Sequence, residues 1–298
     1  MTGPALKPLH ALLALLTIAV WGSNFVVIKL ALAHLPPLTF AALRFTFAAL
    51  PAVFFFKRPA VPLWMLAAYG VLIGVGQFGA LYIAMRHSIS PGLASLVVQM
   101  QAFFTIGMSM VLTGERLRGF QLVALLLAAA GLGWLMVHAG AEVTPLGLGL
   151  VLFSALAWAG GNTVQRAAKA DSVLAFVIWS SLFSIPPLFA LAFVFDGGPA
   201  IVQGLTAATP GTWAAVLWQS VGNTLFGYAA WAWLLARYPA ATVSPLSLLV
   251  PVVGMGASAA LLGVPLPDWK LEAAALVLSG LALNTLWPMW RRRAALAV

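Results

Sequence analysis

The chain has 298 residues, of which 63% are hydrophobic and 7% charged, with a formal net charge of +9. Soluble domains carry about 25% charged residues, so a chain this poor in charge cannot clothe a water-facing surface, and a mean hydropathy of +1.03 makes lipid its solvent. Cysteine is absent, which excludes disulfides, thiolate chemistry and Cys-based metal sites, and the positive charge reads as membrane topology rather than nucleic-acid binding.

A membrane span needs roughly 20 apolar residues. Apolar runs between Pro, Gly and charge punctuation predict helices over 9–32, 37–56, 63–86, 91–113, 119–138, 146–168, 172–195, 212–236, 241–263 and 270–290. The start of the first, Lys7 followed by the apolar run Ala11 to Val20, resembles a signal peptide with a cleavage-like Ala31-Leu32-Ala33. Its counterpart in the second half of the chain argues that it is retained. This helix carries Asn24 and, near its end, Lys29, which either snorkels to the surface or meets substrate. The second carries Arg44, roughly 10 Å inside by the helical rise. Arg44 is either a receptor for a substrate carboxylate or a clamp on carbonyls at a helix end.

In the third helix, Gly70 and Gly74 have the small-xxx-small spacing of close helix packing, and Tyr82 offers an aromatic wall with a polar tip. In the fourth, Gln99 and Gln101 point about 200° apart. Ser95 shares a face with Gln99, while Gln101, Thr105 and Ser109 share another, and the Gln99 face is the preferred cavity lining. The sixth brings Trp158, Gly160-Gly161 and Asn162, with the glycines expected to loosen the helix. In the eighth, Gln219, Asn223 and Gly227 form a polar or small stripe, with Tyr228 beside it. In the ninth, Ser244 and the prolines Pro245 and Pro251 free carbonyls that can line a cavity. For Asn24, Asn162, Asn223 and the aromatic residues, the competing reading is interhelical glue or interfacial anchoring.

Two global patterns organise these elements. With the N-terminus inside, Lys7, Lys57, Arg58, Arg116, Arg118, Arg166, Lys169, Arg237 and Arg291 to Arg293 are cytoplasmic, against Arg86 and Lys270 on the other side. That split predicts about ten spans with both termini cytoplasmic. Internal repetition is the second pattern. Trp21-Gly22-Ser23-Asn24 recurs as Trp158-Ala159-Gly160-Gly161-Asn162, and Gly114 and Gly131 recur at one spacing as Gly263 and Gly280. The halves, 1–140 and 141–298, each hold an odd number of helices, so the second copy is inverted. Inverted repeats of this kind are a transporter signature, with a substrate site near the midplane.

The stretch Val20 to Lys29, then Pro36-Pro37-Leu38 and Leu43-Arg44-Phe45, resembles the EamA-type branch of the drug/metabolite transporter superfamily. So do Gly92 to Val97 with Gln99 and Gln101 to Thr105, the Gly114-Glu115-Arg116-Leu117 turn, Arg237-Tyr238, and Ser244 to Gly254. Within that branch the resemblance is to exporters of amino acids such as O-acetylserine and cysteine. It implies a multi-pass protein of the bacterial inner membrane with ten helices. Two positions depart from the family pattern: Ala102 stands where many repeats carry proline, and Gly263-Val264-Pro265-Leu266 replaces the second Gly-Glu-Arg-Leu turn.

These readings lead to an all-α integral membrane transporter that exports amino acids and related small zwitterionic or polar metabolites by alternating access. No cofactor and no metal are expected, nor any nucleic-acid partner, and oligomeric state is left open. The expected substrate contacts are Asn24, Tyr82, Gln99, Trp158, Asn162, Asn223, Tyr228 and Ser244, with Arg44 for a carboxylate. The acids Glu115, Glu142, Asp171, Asp196, Asp268 and Glu272 all fall in loops or at span ends. This disfavours a midplane proton relay and polyamine or quaternary drug substrates. No nucleophile–base pair or metal triad suggests an enzyme, and isolated polar residues do not make a channel lining. The alternatives are a scaffold or receptor without transport, or an exporter of unrelated drugs or metabolites.

Overall fold

A computed structural model of the chain describes residues 6–113, 118–238 and 240–295. The Gly114-Glu115-Arg116-Leu117 turn and the side chains of His87, Ser109, Ser244 and Arg291 to Arg293 lie outside the described residues. The fold is all-helical. Among the described residues, extended pairing is confined to one isolated bridge between Ile89 and Val143. An apolar solvent offers backbone groups no partner, so each segment satisfies its own by coiling.

In chain order the helices are α1 (Pro8–Ala31), α2 (Pro37–Val53), α3 (63–87), α4 (91–113), α5 (Gly119–His138) and α6 (Pro145–Ala168). They continue with α7 (173–196), the short α8 (Gly198–Ala207), α9 (210–237), α10 (240–262) and α11 (Asp268–Ala295). Among the described residues, eight helical segments are long and apolar enough to cross a membrane by length and composition. Starts and stops follow local chemistry. Pro8, Pro37, Pro91, Pro145 and Pro210 sit at first helical positions, where a missing N–H costs nothing. Thr144, Ser172 and Thr209 cap their helices by accepting from the backbone N–H groups of Gly147, Ala175 and Thr212. Gly263, at φ 65°, ends α10 in the left-handed region that glycine adopts freely.

The two halves repeat each other in their irregularities. α3 is π-helical over Val71–Gly79 and α9 over Trp218–Phe226. α4 tightens to a 3-10 turn at Val98–Met100 and α10 at Ser244–Leu248. Val75-Gly76-Gln77 and Tyr82 thereby fall on Val221-Gly222-Asn223 and Tyr228. The glycine pair in α6, expected to loosen that helix, does not: α6 is regular throughout, and Gly161 instead makes room for Ile73 of α3.

Packing follows the repeat but not the halves. α1 lies against α9 and α10, whereas its counterpart α6 lies against α3 and α4, the counterparts of α9 and α10. Each unit therefore mixes both halves of the chain. α2 packs along α7 and α5 along α11, so these pairs bring equivalent helices together. The seam between α5 and α11 is built on equivalent glycines: a Cβ at Gly131 would lie 2.9 Å from the Ala273 carbonyl oxygen, and one at Gly280 2.5 Å from that of Ala124.

One end of the bundle holds Lys7, Lys57, Arg118, Arg166, Lys169 and Arg237 and is called the basic end. The far end is tied together by polar contacts between loops. Asp196 accepts from the Thr39 N–H and hydroxyl at 2.8 and 2.9 Å, a favourable place for a carboxylate at the start of α2. Buried Lys270 pairs with Glu142 at 2.5 Å. Lys29 donates to the Met85 and Arg86 carbonyls at 3.2 and 3.0 Å, at the far-end terminus of α3. Around the perimeter, side chains such as Leu12, Leu16, Phe54, Phe55, Leu126, Phe193 and Phe195 are exposed, a surface only lipid can cover.

The glycine seam is open to test. Gly131→Val overpacks the α5–α11 contact, whereas Gly133, whose added Cβ would meet nothing within 4 Å, tolerates the same change. In detergent, thermal unfolding is expected to show Gly131→Val destabilised by about 1–3 kcal/mol, with Gly133→Val unchanged.

Candidate functional site

A cavity of about 590 Å3 opens between α4, α6 and the start of α7, lined by Gln101, Thr105, Asn162, Gln165, Arg166 and Phe176 among others. On α6, Asn162, Arg166 and Lys169 follow at i, i+4 and i+7, so one helical face runs from the cavity's depth to its mouth. At depth, the Asn162 side-chain amide donates to Gln101 Oε1 at 3.1 Å. Toward the basic end, Arg166 and Lys169 are exposed beside the entrance. Among the described residues, no carboxylate lines this space. It is an open vestibule with side-chain amides at its depth and positive charge at its mouth.

Toward the far end, Asn24, the counterpart of Asn162, lies in a closed network built on Arg44. Arg44 is 0% exposed. Its Nη1 donates to the Tyr82 hydroxyl at 2.9 Å and its Nη2 to Thr224 Oγ1 at 3.0 Å. The guanidinium carbon stands 3.6 Å from the Phe78 ring centroid, a cation–π contact that a desolvated charge needs. Tyr82 passes the chain on, donating to Gln219 Oε1 at 3.1 Å. Gln219 Nε2 in turn donates to Asn24 Oδ1, while Gln219 Oε1 also accepts from Asn223 Nδ2 at 3.4 Å. The network thus joins α1, α2, α3 and α9. Hydrogen bonds strengthen one another in a low-dielectric interior, so breaking such a network is costly.

The backbone explains why one helix supplies so much of it. In the π segment of α9, bonds run from i to i+5, and the Thr224 hydroxyl donates to the Gln219 carbonyl at that spacing, 2.9 Å away. Residues four and five positions after Gln219 therefore share its face. The Ser220 hydroxyl, on the same turn, bonds the Arg44 carbonyl at 2.9 Å. π-Bulges of this kind concentrate at functional sites.

The expected site residues divide between these two regions. Asn162 lines the vestibule, whereas its counterpart Asn24 is buried in the network; the two do not face each other across one open space. Tyr82 and Asn223 belong to the network. Tyr228 joins Arg44, Tyr69, Ser181, Ser184 and Thr224 around a second, much smaller cavity. Gln99 is buried, with a 3.5 Å bond to the Ser247 carbonyl, and Ser95 packs on Gly254. The glutamine in the open space is Gln101, on the face ranked second from sequence. Trp158 is half-buried against the core, and Ser244's side chain is outside the described ones. Arg44 bonds hydroxyls, not the helix-end carbonyls of the clamp reading. Thr224 and Tyr69 were not singled out from the sequence. Ideal α-helical spacing turns Thr224 about 100° away from Asn223, and only the π segment returns it to the same face.

Comparison with known proteins agrees with this architecture. The profile of the EamA-like transporter family matches twice, over residues 9–137 and 145–286. A probable amino-acid metabolite efflux pump of Escherichia coli (strain K12) is 41% identical over 286 residues, covering 94% of this chain and 96% of its own. A probable terminal-alkyne amino-acid exporter of Streptantibioticus cattleyicolor is 25% identical over 292 residues, with 94% of each chain covered. A crystal structure superposes with a TM-score of 0.63 at 19% identity, over 95% of this chain and 98% of the other, a likeness of fold.

The two glutamines separate network from periphery. Gln219→Ala leaves Asn24 and Tyr82 without their partner and is expected to cost about 1–3 kcal/mol in thermal unfolding. Gln99→Ala, which loses a single long bond, is expected to cost clearly less. Equal losses would mean that Gln219 is no hub.

Proposed function

We infer the function from one premise: the chain belongs to the EamA-like transporter family, within the drug/metabolite transporter superfamily. It is a multi-pass inner-membrane transporter rather than an enzyme. The proposed activity is export of amino acids and related small polar metabolites by alternating access, with ten spans, two inverted halves (1–140 and 141–298) and both termini cytoplasmic. The observation that carries this reading is the unequal state of equivalent residues. Asn162 lies in an open vestibule, and Asn24, its counterpart, is locked in a closed network. In an inverted repeat, exchanging those two states turns access from one side of the membrane to the other.

On this reading the basic end is cytoplasmic, as the excess of Lys and Arg favours. A substrate enters past Arg166 and Lys169, and Asn162 and Gln101 hold its polar groups. The network of Asn24, Tyr82 and Asn223, with Arg44 and Tyr228, then stands between it and the far side. A zwitterion suits this path because amide oxygens accept from its ammonium while cations meet its carboxylate.

Proteoliposomes loaded with each of the twenty amino acids or O-acetylserine are expected to show protein-dependent efflux for a subset. Asn162→Ala is expected to lower that efflux several-fold, and imposing a proton gradient to leave it unchanged. Absence of efflux for every compound would favour a scaffold or an exporter of unrelated metabolites. Uphill flux that follows the gradient would contradict transport without a proton relay.

A further inference from the structure

The vestibule and the small Arg44 cavity lie end to end along α7. The vestibule closes on Phe176, and the next residue, Val177, already lines the Arg44 cavity, followed by Ser181 and Ser184 one and two turns on. Between the two spaces the rings of Phe176 and Tyr69 meet edge to face, 5.0 Å between centroids. One aromatic pair separates the open space from the buried cation.

The smaller cavity has a volume of about 10 Å3, close to the least that holds a single water. Its lining is mixed: Phe45, Ile73, Phe78 and Val177 give it apolar walls, and Tyr69, Ser181, Ser184, Thr224 and Tyr228 stand among them together with Arg44. Arg44 Nε is fully buried and has no hydrogen-bond partner, although leaving such a donor unmet costs about 1–3 kcal/mol or more. Arg44 also lacks a counter-ion: among the described residues, the one ion pair joins Lys270 to Glu142. A buried cation whose hydrogen bonds go only to neutral hydroxyls, with one donor idle and a small cavity beside it, is matched to an anion.

We propose that this cavity is a second station on the transport path, where Arg44 takes the carboxylate of the substrate and thereby unlocks the far end. The inference rests on the transporter reading above. Nε and Nη2 share one edge of the planar guanidinium, and a carboxylate binds such an edge through two parallel bonds. Nε is idle, whereas Nη2 is held by Thr224. A carboxylate on that edge takes the idle donor and displaces Thr224, the α9 hydroxyl to which the guanidinium donates. The space as it stands holds no more than a water, so the Phe176–Tyr69 pair must part and the cavity must widen to admit it. The same step that binds substrate thus loosens the seal ahead of it, and a molecule without a carboxylate leaves the seal shut.

The test uses reconstituted protein and the best-transported amino acid of the efflux panel beside its primary amide, which keeps the side chain and the ammonium. Wild-type protein is expected to move the acid at least about tenfold faster than the amide. Arg44→Gln is expected to bring the acid down to the rate of the amide, while Arg44→Lys, which keeps the charge but not the fork, retains part of the preference. Thr224→Val removes the link, freeing Nη2 while keeping the guanidinium itself, and is expected to raise the amide rate several-fold. Equal wild-type rates for acid and amide overturn the proposal and leave the transporter reading standing. So does an Arg44→Gln protein that slows both compounds in proportion, since that is what a purely structural arginine does. If Arg44→Gln does not fold, Thr224→Val decides: an unchanged amide rate overturns the proposal. A panel with no transported compound overturns the transporter reading and this proposal with it.

Discussion

A guanidinium with no solvent and no carboxylate is the constraint around which the far half of this bundle is arranged. Leaving Arg44 in an apolar interior without compensation is prohibitive. The protein answers with Tyr82 and Thr224 as acceptors and the Phe78 face as a third contact. Each of these contacts imposes a further one. Tyr82, having accepted from Arg44, donates to Gln219; Gln219, engaged at its oxygen, turns its amide nitrogen to Asn24. Four helices are thereby held in register by hydrogen bonds, in a setting where apolar burial gives helices little reason to associate.

The same constraint accounts for the irregular backbone. An α-helical α9 presents Gln219 and Asn223 on one face, but not Thr224. Widening the turn to π spacing gathers all three, and the matching π segment in α3 falls just before Tyr82. These bulges lie in repeat-related helices, at positions related by the same alignment that pairs Tyr82 with Tyr228. The architecture is accordingly two units, α1 with α9 and α10, and α6 with α3 and α4, built to one plan and found in different states. Around α6 a cavity opens toward the basic end, and around α1 the counterpart of Asn162, Asn24, is bonded into the network.

Much of this was legible in the sequence, and the physical reasons are plain. Long apolar runs predict helices because a helix satisfies its own backbone in lipid, and Pro8, Pro37, Pro91, Pro145 and Pro210 mark their starts because proline is costless there. The repeat showed in Trp21 and Asn24 against Trp158 and Asn162, and the packed glycines Gly131 and Gly280 were already paired by spacing. What was hidden depends on departures from the ideal helix. The π turns carry no composition signature, so Thr224 went unnoticed and the loosening was assigned to Gly160-Gly161, where the backbone is regular. Choosing between Gln99 and Gln101 required knowing which neighbour packs on each face: Gly254 and Ser247 of α10 crowd the Ser95–Gln99 side, which leaves Gln101 to the open space. The mixed composition of the packing units was equally invisible, because sequence halves record duplication and not which copies end up in contact.

The central claim is that the two ends of the bundle are coupled, so that the vestibule closes as the Arg44 network gives way. The cysteine-free sequence permits spin labels at chosen exposed sites without further substitution: Leu9 and Ala167 across the basic end, Ala33 and Leu146 across the far end. Pulsed electron–electron distance measurements on reconstituted protein, with and without a transported amino acid, then report both ends in one sample type. The account predicts that substrate shifts the distributions in opposite senses, shorter at the basic end and longer at the far end. Distances that stay fixed at both ends, or that change in the same sense, would contradict it.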